Sequence, residues 1–324
     1  MRARRIPCML ALATAAASAC GDGGKDTILD AGSDAPSATD ADAPPVGKFS
    51  FFVASYKALR ELSGSESGFG GDLRYGETGP GAGLRGADKL CATIAERSLP
   101  GASAQQWRAF LSASADANGE PVNAIDRIGQ GPWYDRTGRL LAATKADLMA
   151  TRPVGADATI ANDFPNEDGI PNHNPDGTGE VDNHDMLTGS TTAGLLEAAT
   201  STCLDWTSAI GDKATEGRPR VGHSWGRGVG GPGSGPGGSG GMIDGGPVFD
   251  GGPGIDGGPG IDGGPLDLPG GGPPGNPESW MSALIESGCA PGVNLIETGP
   301  PSDSANTVGN GGGYGGFYCF ALTP

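Results

Sequence analysis

The chain has 324 residues, among them 61 glycines and 27 prolines, and a formal net charge of −17. Such an acidic balance disfavours nucleic acid and anionic lipid surfaces as partners. The glycine and proline content is at the level that marks low-complexity sequence somewhere in the chain.

The first element is MRARRIPCMLALATAAASAC, with Arg2, Arg4 and Arg5 ahead of an apolar stretch from Ile6 to Ala19. The stretch falls short of the roughly 20 apolar residues a membrane-spanning helix needs. It has the form of a secretory signal over residues 1–19. Ala17-Ser18-Ala19-Cys20 resembles a bacterial lipobox, with Ala17 where leucine is usual. The resemblance implies cleavage before Cys20 and lipidation of its thiol. The plainer alternative is an ordinary signal cut near Ala19 that leaves Cys20 a stray thiol. Cleavage would remove three arginines and no acid, moving the net charge from −17 to −20. Gly21 after Cys20 lacks the aspartate that retains some lipoproteins, so outer-membrane or surface delivery is expected. Residues 20–48, rich in Asp, Ala, Ser, Gly and Pro, read as a disordered, self-repelling tether.

An ordered domain is expected from residue 49 to 324. KFSFFVASY opens it as a strand, with Phe49, Phe51, Val53 and Ser55 alternating. A Gly-rich loop follows. RGADKLCATIAERSL, residues 85–99, reads as a helix with Ala87, Leu90, Cys91 and Ile94 on one face. WRAFLSAS at 107–114 is a strand, NAIDRI at 123–128 a helical turn, and PWYDRTGRLLA at 132–142 a pair of strands about Arg136-Thr137-Gly138. MLTGST at 186, TCLDWTS at 202, RVGHSW at 220, NLIETG at 294 and GFYCFAL at 316 complete the strand candidates. An early helix followed by short strands argues for an α+β domain over a doubly wound one.

Two segments interrupt this pattern. Residues 162–185 form a polar, acidic, turn-rich insert. Residues 226–277 hold 24 Gly and 10 Pro in 52 positions, so much of the bias sits there. Glycine keeps a three-residue frame from Gly251 to Gly263, broken by Val248 and Leu266. That run is too short for a collagen triple helix and reads as a disordered Gly/Pro-rich loop.

Cys8 leaves with the signal and Cys20 carries lipid, so Cys91, Cys203, Cys289 and Cys319 remain. An even count in an exported domain points to two disulfides, with three pairings open. The spacings are too wide for a compact zinc ligand set.

FFVAS, GADKLC with Cys91, WRAFLSAS, AIDRIG, GPWYDRTGRLLA and the ADL at 146–148 carry a resemblance, followed by LTGST at 187–191, TCLDWTS with Cys203 and Trp206, a late Trp, Cys289 and FYCFAL with Cys319. In that order they resemble a bacterial family of exported lipoproteins with an endostatin-like, C-type-lectin-like domain, as in leptospiral endostatin-like surface proteins. The resemblance spans about 49–322 apart from the two inserts. It implies a non-catalytic ligand-binding, adhesin-like domain with bonds Cys91–Cys319 and Cys203–Cys289. Its partners would be the membrane, through the N-terminal lipid, and an extracellular protein or glycan. An envelope structural protein without a specific ligand is the alternative. Trp206, three residues after Cys203, and Trp225 are expected in the core.

Calcium-dependent sugar binding in that superfamily uses Glu-Pro-Asn or Gln-Pro-Asp with Trp-Asn-Asp. Neither is present; Glu120-Pro121-Val122 and Phe164-Pro165-Asn166 only approach the pattern. Asn172, Asn174, Asp176 and Gly177 copy the first half of an EF-hand loop, although its last position falls on Asn183 instead of Glu. Asp168, Asn172, Asn174, Asp176 and Asp182 are therefore candidates for weak calcium binding, with Asp163, Glu180 and Asp185 nearby; no other cofactor is expected. His173 and His184 form a weak transition-metal pair. GHSWG at 222–226 matches a nucleophile elbow with Ser224, but no histidine follows His223. The match is read as chance and the chain as no enzyme.

Overall fold

The computed structural model describes residues 48–175, 181, 183–226, 276, 278–296 and 301–322. The signal, Cys20, almost all of the tether, Asp176, Glu180, Asp182 and nearly all of the Gly/Pro-rich insert lie outside the described residues.

Strand β1 (Phe51–Val53) is buried along its whole length. Alternation predicts that Phe52 faces away from the core; instead both faces of the strand are covered. Successive side chains point to opposite sides of a strand. Phe51 therefore meets Phe164 at 5.4 Å and Phe320 at 4.9 Å, while Phe52 meets Phe49 at 5.6 Å and Trp107 at 4.9 Å.

The expected Gly-rich loop contains helix α1 (Tyr56–Ser63). Ser55 caps it, its hydroxyl accepting from the Ala58 N–H at 3.1 Å, and Gly64 ends it at φ 67°. Helix α2 (Ala82–Ser98) begins three residues before its expected start. It buries Leu84, Ala87, Leu90, Cys91, Ile94 and Ala95.

Strand β2 (Trp107–Ala109), helical turn α3 (Ala124–Arg127) and the hairpin β3 (Trp133–Tyr134) with β4 (Leu140–Ala142) fall where the sequence places them. Asp135 ties the hairpin turn, accepting from the Thr137 and Arg139 amides at 2.9 and 2.8 Å. Turn α4 (Lys145–Leu148) follows, capped by Thr144.

The remaining elements are β5 (Asp185–Leu187), α5 (Cys203–Trp206), α6 (Lys213–Glu216), β6 (Arg220–His223), β7 (Leu284–Ile285), β8 (Gly313–Gly316) and β9 (Tyr318–Ala321). TCLDWTS is a left-handed turn instead of a strand: φ is 50° at Cys203, 54° at Leu204, 56° at Asp205 and 64° at Trp206. L-residues disfavour that region, so tertiary contacts must hold it. Cys203 is bonded to Cys289, the Asp205 carboxylate accepts from the Ser114 N–H at 2.6 Å and hydroxyl at 2.8 Å, and the Trp206 indole donates to the Ser112 carbonyl at 2.8 Å. Trp206 is buried, as expected. In NLIETG, Asn294 makes a bridge to Gly313, and residues 297–299 lie outside the described residues.

The architecture is α+β. One sheet has the order β1-β9-β2, so the last strand lies between the first two. Phe51 pairs with Phe320 on one edge of β9 and Arg108 with Phe320 on the other. The disulfide Cys91–Cys319 ties α2 to this central strand, and Cys203–Cys289 ties α5 to the segment after β7. A second sheet has the order β7-β6-β5-β8. Trp280 packs between the sheets, 4.7 Å from Phe110 and 5.2 Å from Tyr318.

Much of the described part of the 162–185 segment is buried, unlike the solvated insert its composition suggests. Asp163, Phe164, Asn166, Glu167, Asn172, Asn183, His184 and Asp185 are all buried, and the segment ends in β5 inside the second sheet. Its polar groups are absorbed by specific partners, which composition does not report.

Candidate functional site: a buried His-Asp-His centre

The sequence of β5 and β6 sets the site. Asp185 opens β5 and His223 closes β6, and antiparallel pairing makes them direct partners, followed by Met186 with Gly222 and Leu187 with Val221. Opposed residues of an antiparallel pair share a face. His223 Nε2 lies 3.0 Å from Asp185 Oδ1, and His184 Nε2 lies 3.5 Å from the same oxygen. The two imidazole rings meet edge to face with centroids 4.3 Å apart. All three side chains are buried.

Around them is a fixed shell. Trp225 packs its ring 4.7 Å from His184 and donates its indole N–H to Asn183 Oδ1 at 3.1 Å. Trp225 is thus in the core, as expected, and on the site. The Arg152 guanidinium donates to the carbonyls of His223 and Ser224 at 2.7 and 2.8 Å, holding the end of β6. Gly222 has no room for a side chain: a Cβ there would stand 1.8 Å from the Trp280 carbonyl oxygen.

Glu286 supplies a second carboxyl. It follows β7, its oxygens accepting from the Gly311 N–H at 3.0 and 3.2 Å and from the Ser287 N–H at 2.9 Å. Gly311 lies against both acids; a Cβ there would fall 2.8 Å from Asp185 Oδ2. Burial, and then the charge of Asp185, push the Glu286 carboxyl well above the ordinary range. Burial works in the same direction on Asp185, but the charge of His184 and the hydrogen bond and charge of His223 outweigh it and hold that carboxyl low. The two carboxyls are thus pushed in opposite directions, Glu286 toward its protonated form and Asp185 toward its ionised form. The Tyr318 hydroxyl is also buried, has no hydrogen-bond partner among the described residues, and lies in the field of Asp185.

Among the described residues, the calcium candidates Asp168, Asn172 and Asn174 are not brought to one centre. Asp168 is exposed and lines a surface cleft with Lys57, Glu61, Arg97 and Glu167. Asn172 points inward: its amide donates to Ser224 Oγ at 3.0 Å, and its Oδ1 lies 3.3 Å from the Tyr314 hydroxyl. An EF-hand first position must present its oxygen to a cation; that of Asn172 faces a tyrosine. Asn174 is half-buried, and Asp176 and Asp182 lie outside the described residues. Asp163 accepts from the backbone of Asn172 at 3.0 Å and makes a short contact with His173 Nδ1. His173 therefore pairs with Asp163, while His184 joins His223.

Ser224 is buried, follows β6 and takes its hydrogen bond from Asn172. Sequence reasoning names His184, Asp185 and His223 in three separate contexts and never together. The signal that could have joined them is the pairing of two short strands, 185–187 with 220–223. Comparison of the chain with protein-family models and with curated proteins finds no match.

Proposed function

We propose that the chain is an exported, lipid-anchored protein whose domain has the C-type-lectin-like, endostatin-like fold and binds a ligand without catalysis. The observation that carries this reading is the disulfide pair Cys91–Cys319 and Cys203–Cys289, the arrangement that the family resemblance implies. Persistent structural disulfides belong to oxidising compartments. The pairing of β1 with β9, which places the domain's first and last strands side by side, favours the same fold. Among the described residues no helix is long and apolar enough to cross a membrane, so attachment in this reading rests on lipid at Cys20. The cleft lined by Lys57, Glu61, Arg97, Glu167 and Asp168 is a concave, charged surface suited to a polar ligand. The buried state of Ser224 favours the non-catalytic reading.

Two measurements test it. Mass analysis of the mature N-terminus should find a diacylated or triacylated Cys20, abolished in Cys20→Ser. An unmodified N-terminus at another residue would remove the anchor from the reading. The purified full chain on glycan and extracellular-protein arrays should show saturable binding reduced by Arg97→Glu. No saturable binding would favour a structural envelope protein instead.

A further inference from the structure

Burying two imidazoles and two carboxyls together is costly unless their charges are matched. In this domain they are gathered by three strands far apart in sequence, with Asp185 on β5, His223 on β6 and Glu286 just after β7. The potential ligand atoms of His184, Asp185 and His223 all lie within 4.8 Å of one another. Two of these separations are 3.0 and 3.5 Å. In a tetrahedral site with metal–ligand bonds of about 2.0–2.2 Å, neighbouring ligand atoms stand about 3.3–3.5 Å apart. The His184–Asp185 separation matches such an edge, the His223–Asp185 separation is slightly shorter, and the third lies within 4.8 Å.

We propose that His184, Asp185 and His223 bind one divalent transition-metal ion of the zinc class. Two nitrogens and one carboxylate oxygen suit zinc, whereas calcium and magnesium take sets built of oxygen. The surroundings resemble those that orient metal ligands. Glu286 interacts with Asp185 and is itself fixed by the Gly311 and Ser287 amides, and Trp225 packs against the His184 ring. Such outer partners set the direction of the ligand atoms. Three protein ligands leave a fourth position to water or another oxygen. The site is buried, its ligands come from β5 and β6 and Glu286 stands behind them after β7, so its role is to lock the second sheet.

The chain has three histidines, which makes the test sharp. The full chain, with free thiols alkylated and metal removed by chelator, is titrated with Co²⁺. About one equivalent should bind with strong tetrahedral-type visible absorption, and Zn²⁺ should displace it while Ca²⁺ does not. His173→Ala should bind as the parent does, leaving His184 and His223 as the only imidazoles, and X-ray absorption of its zinc form should show two nitrogen ligands. His223→Ala should bind at least tenfold more weakly. No stoichiometric binding, oxygen-only ligation in His173→Ala, or unchanged affinity in a folded His223→Ala would overturn the proposal. Where His223→Ala does not fold, the ligation seen in His173→Ala decides.

Discussion

Asp185 and His223 are separated by 38 positions in the chain, yet they are Cα partners across β5 and β6 with Oδ1 and Nε2 3.0 Å apart. Removing one member of a buried hydrogen-bonded pair leaves the other unsatisfied, a loss of about 1–3 kcal/mol. Asp185→Ala should therefore lower unfolding stability by that order in urea titrations. Asp163→Ala, which strips a partner from the part-buried His173, should cost less. Equal losses would show that the Asp185 pair has no special weight.

Cys203–Cys289 closes a ring across 86 positions, and Cys91–Cys319 closes one across 228. Restricting the unfolded chain over loops of this size is worth about 4–5 kcal/mol in the chain-entropy view. Cys203→Ala with Cys289→Ala should lower stability by roughly that amount. The left-handed turn at Cys203–Trp206 should also loosen, readable as faster amide exchange at Trp206.

The flanks of the Gly/Pro-rich segment meet in the fold. The His223 N–H donates to the Ser279 carbonyl at 3.0 Å, and Gly226 lies against the Glu278 side chain. Closure entropy rises only logarithmically with loop length. Deleting 230–274 should therefore leave a folded, fully oxidised domain with a melting temperature equal to or above that of the parent. Loss of the Cys203–Cys289 bond in the deletion would show that the segment is structural.

Glu167 is buried behind the α1 N-terminus, where it accepts from the Ser55 N–H at 3.0 Å and hydroxyl at 2.6 Å. Burial, opposed by those hydrogen bonds, pushes its carboxyl up from 4.5 to about 7. The folded state then holds this proton more tightly than the unfolded chain does. Its contribution is full below pH 4.5 and is lost as the pH rises to about 7, by at most roughly 3 kcal/mol. The melting temperature of Glu167→Gln should fall less between pH 4.5 and 7 than that of the parent. Parallel profiles would exclude Glu167 as the titrating group. Lys57, Glu61, Arg97 and Asp168, which line the same cleft, serve as controls.

Asp205 holds the left-handed turn through the Ser114 N–H, the Ser114 hydroxyl and the Ala115 N–H. Asp205→Ala should cost about 2–4 kcal/mol, because these donors and the Thr202 hydroxyl lose a charged acceptor. Asp205→Asn keeps one carbonyl oxygen in place and should cost less, as judged by thermal unfolding.

Much of the first sheet can be read from the chain. β1, α2, β2 and the 133–142 hairpin follow from local runs of apolar and turn residues, because each element's periodicity is a local property. Helix α1 is missed because YKALRELS is short and followed by a glycine-rich stretch that dominates the reading. TCLDWTS reads as a strand from its residue types, but Asp205, Cys203 and Trp206 are held in a turn by partners elsewhere in the chain. The 162–185 segment misleads in the same way. Its Asp, Asn and His look solvated by type, and only the partners of Asp163, Asn172 and Asp185 show those three to be interior.

By itself the sequence determined the α+β class, the main helix, the count of four cysteines available to pair, and the confinement of much of the glycine and proline to one stretch. These depend on composition and on neighbours along the chain. Only the tertiary structure decided that Asp185 faces His223, that His184 joins them, and that Glu286 stands behind. A strand of three or four residues carries too little pattern to specify its partner or register. That choice is made by the whole sheet, where one side-chain set fits the buried face and a one-residue slip would turn Asp185 and His223 to opposite sides.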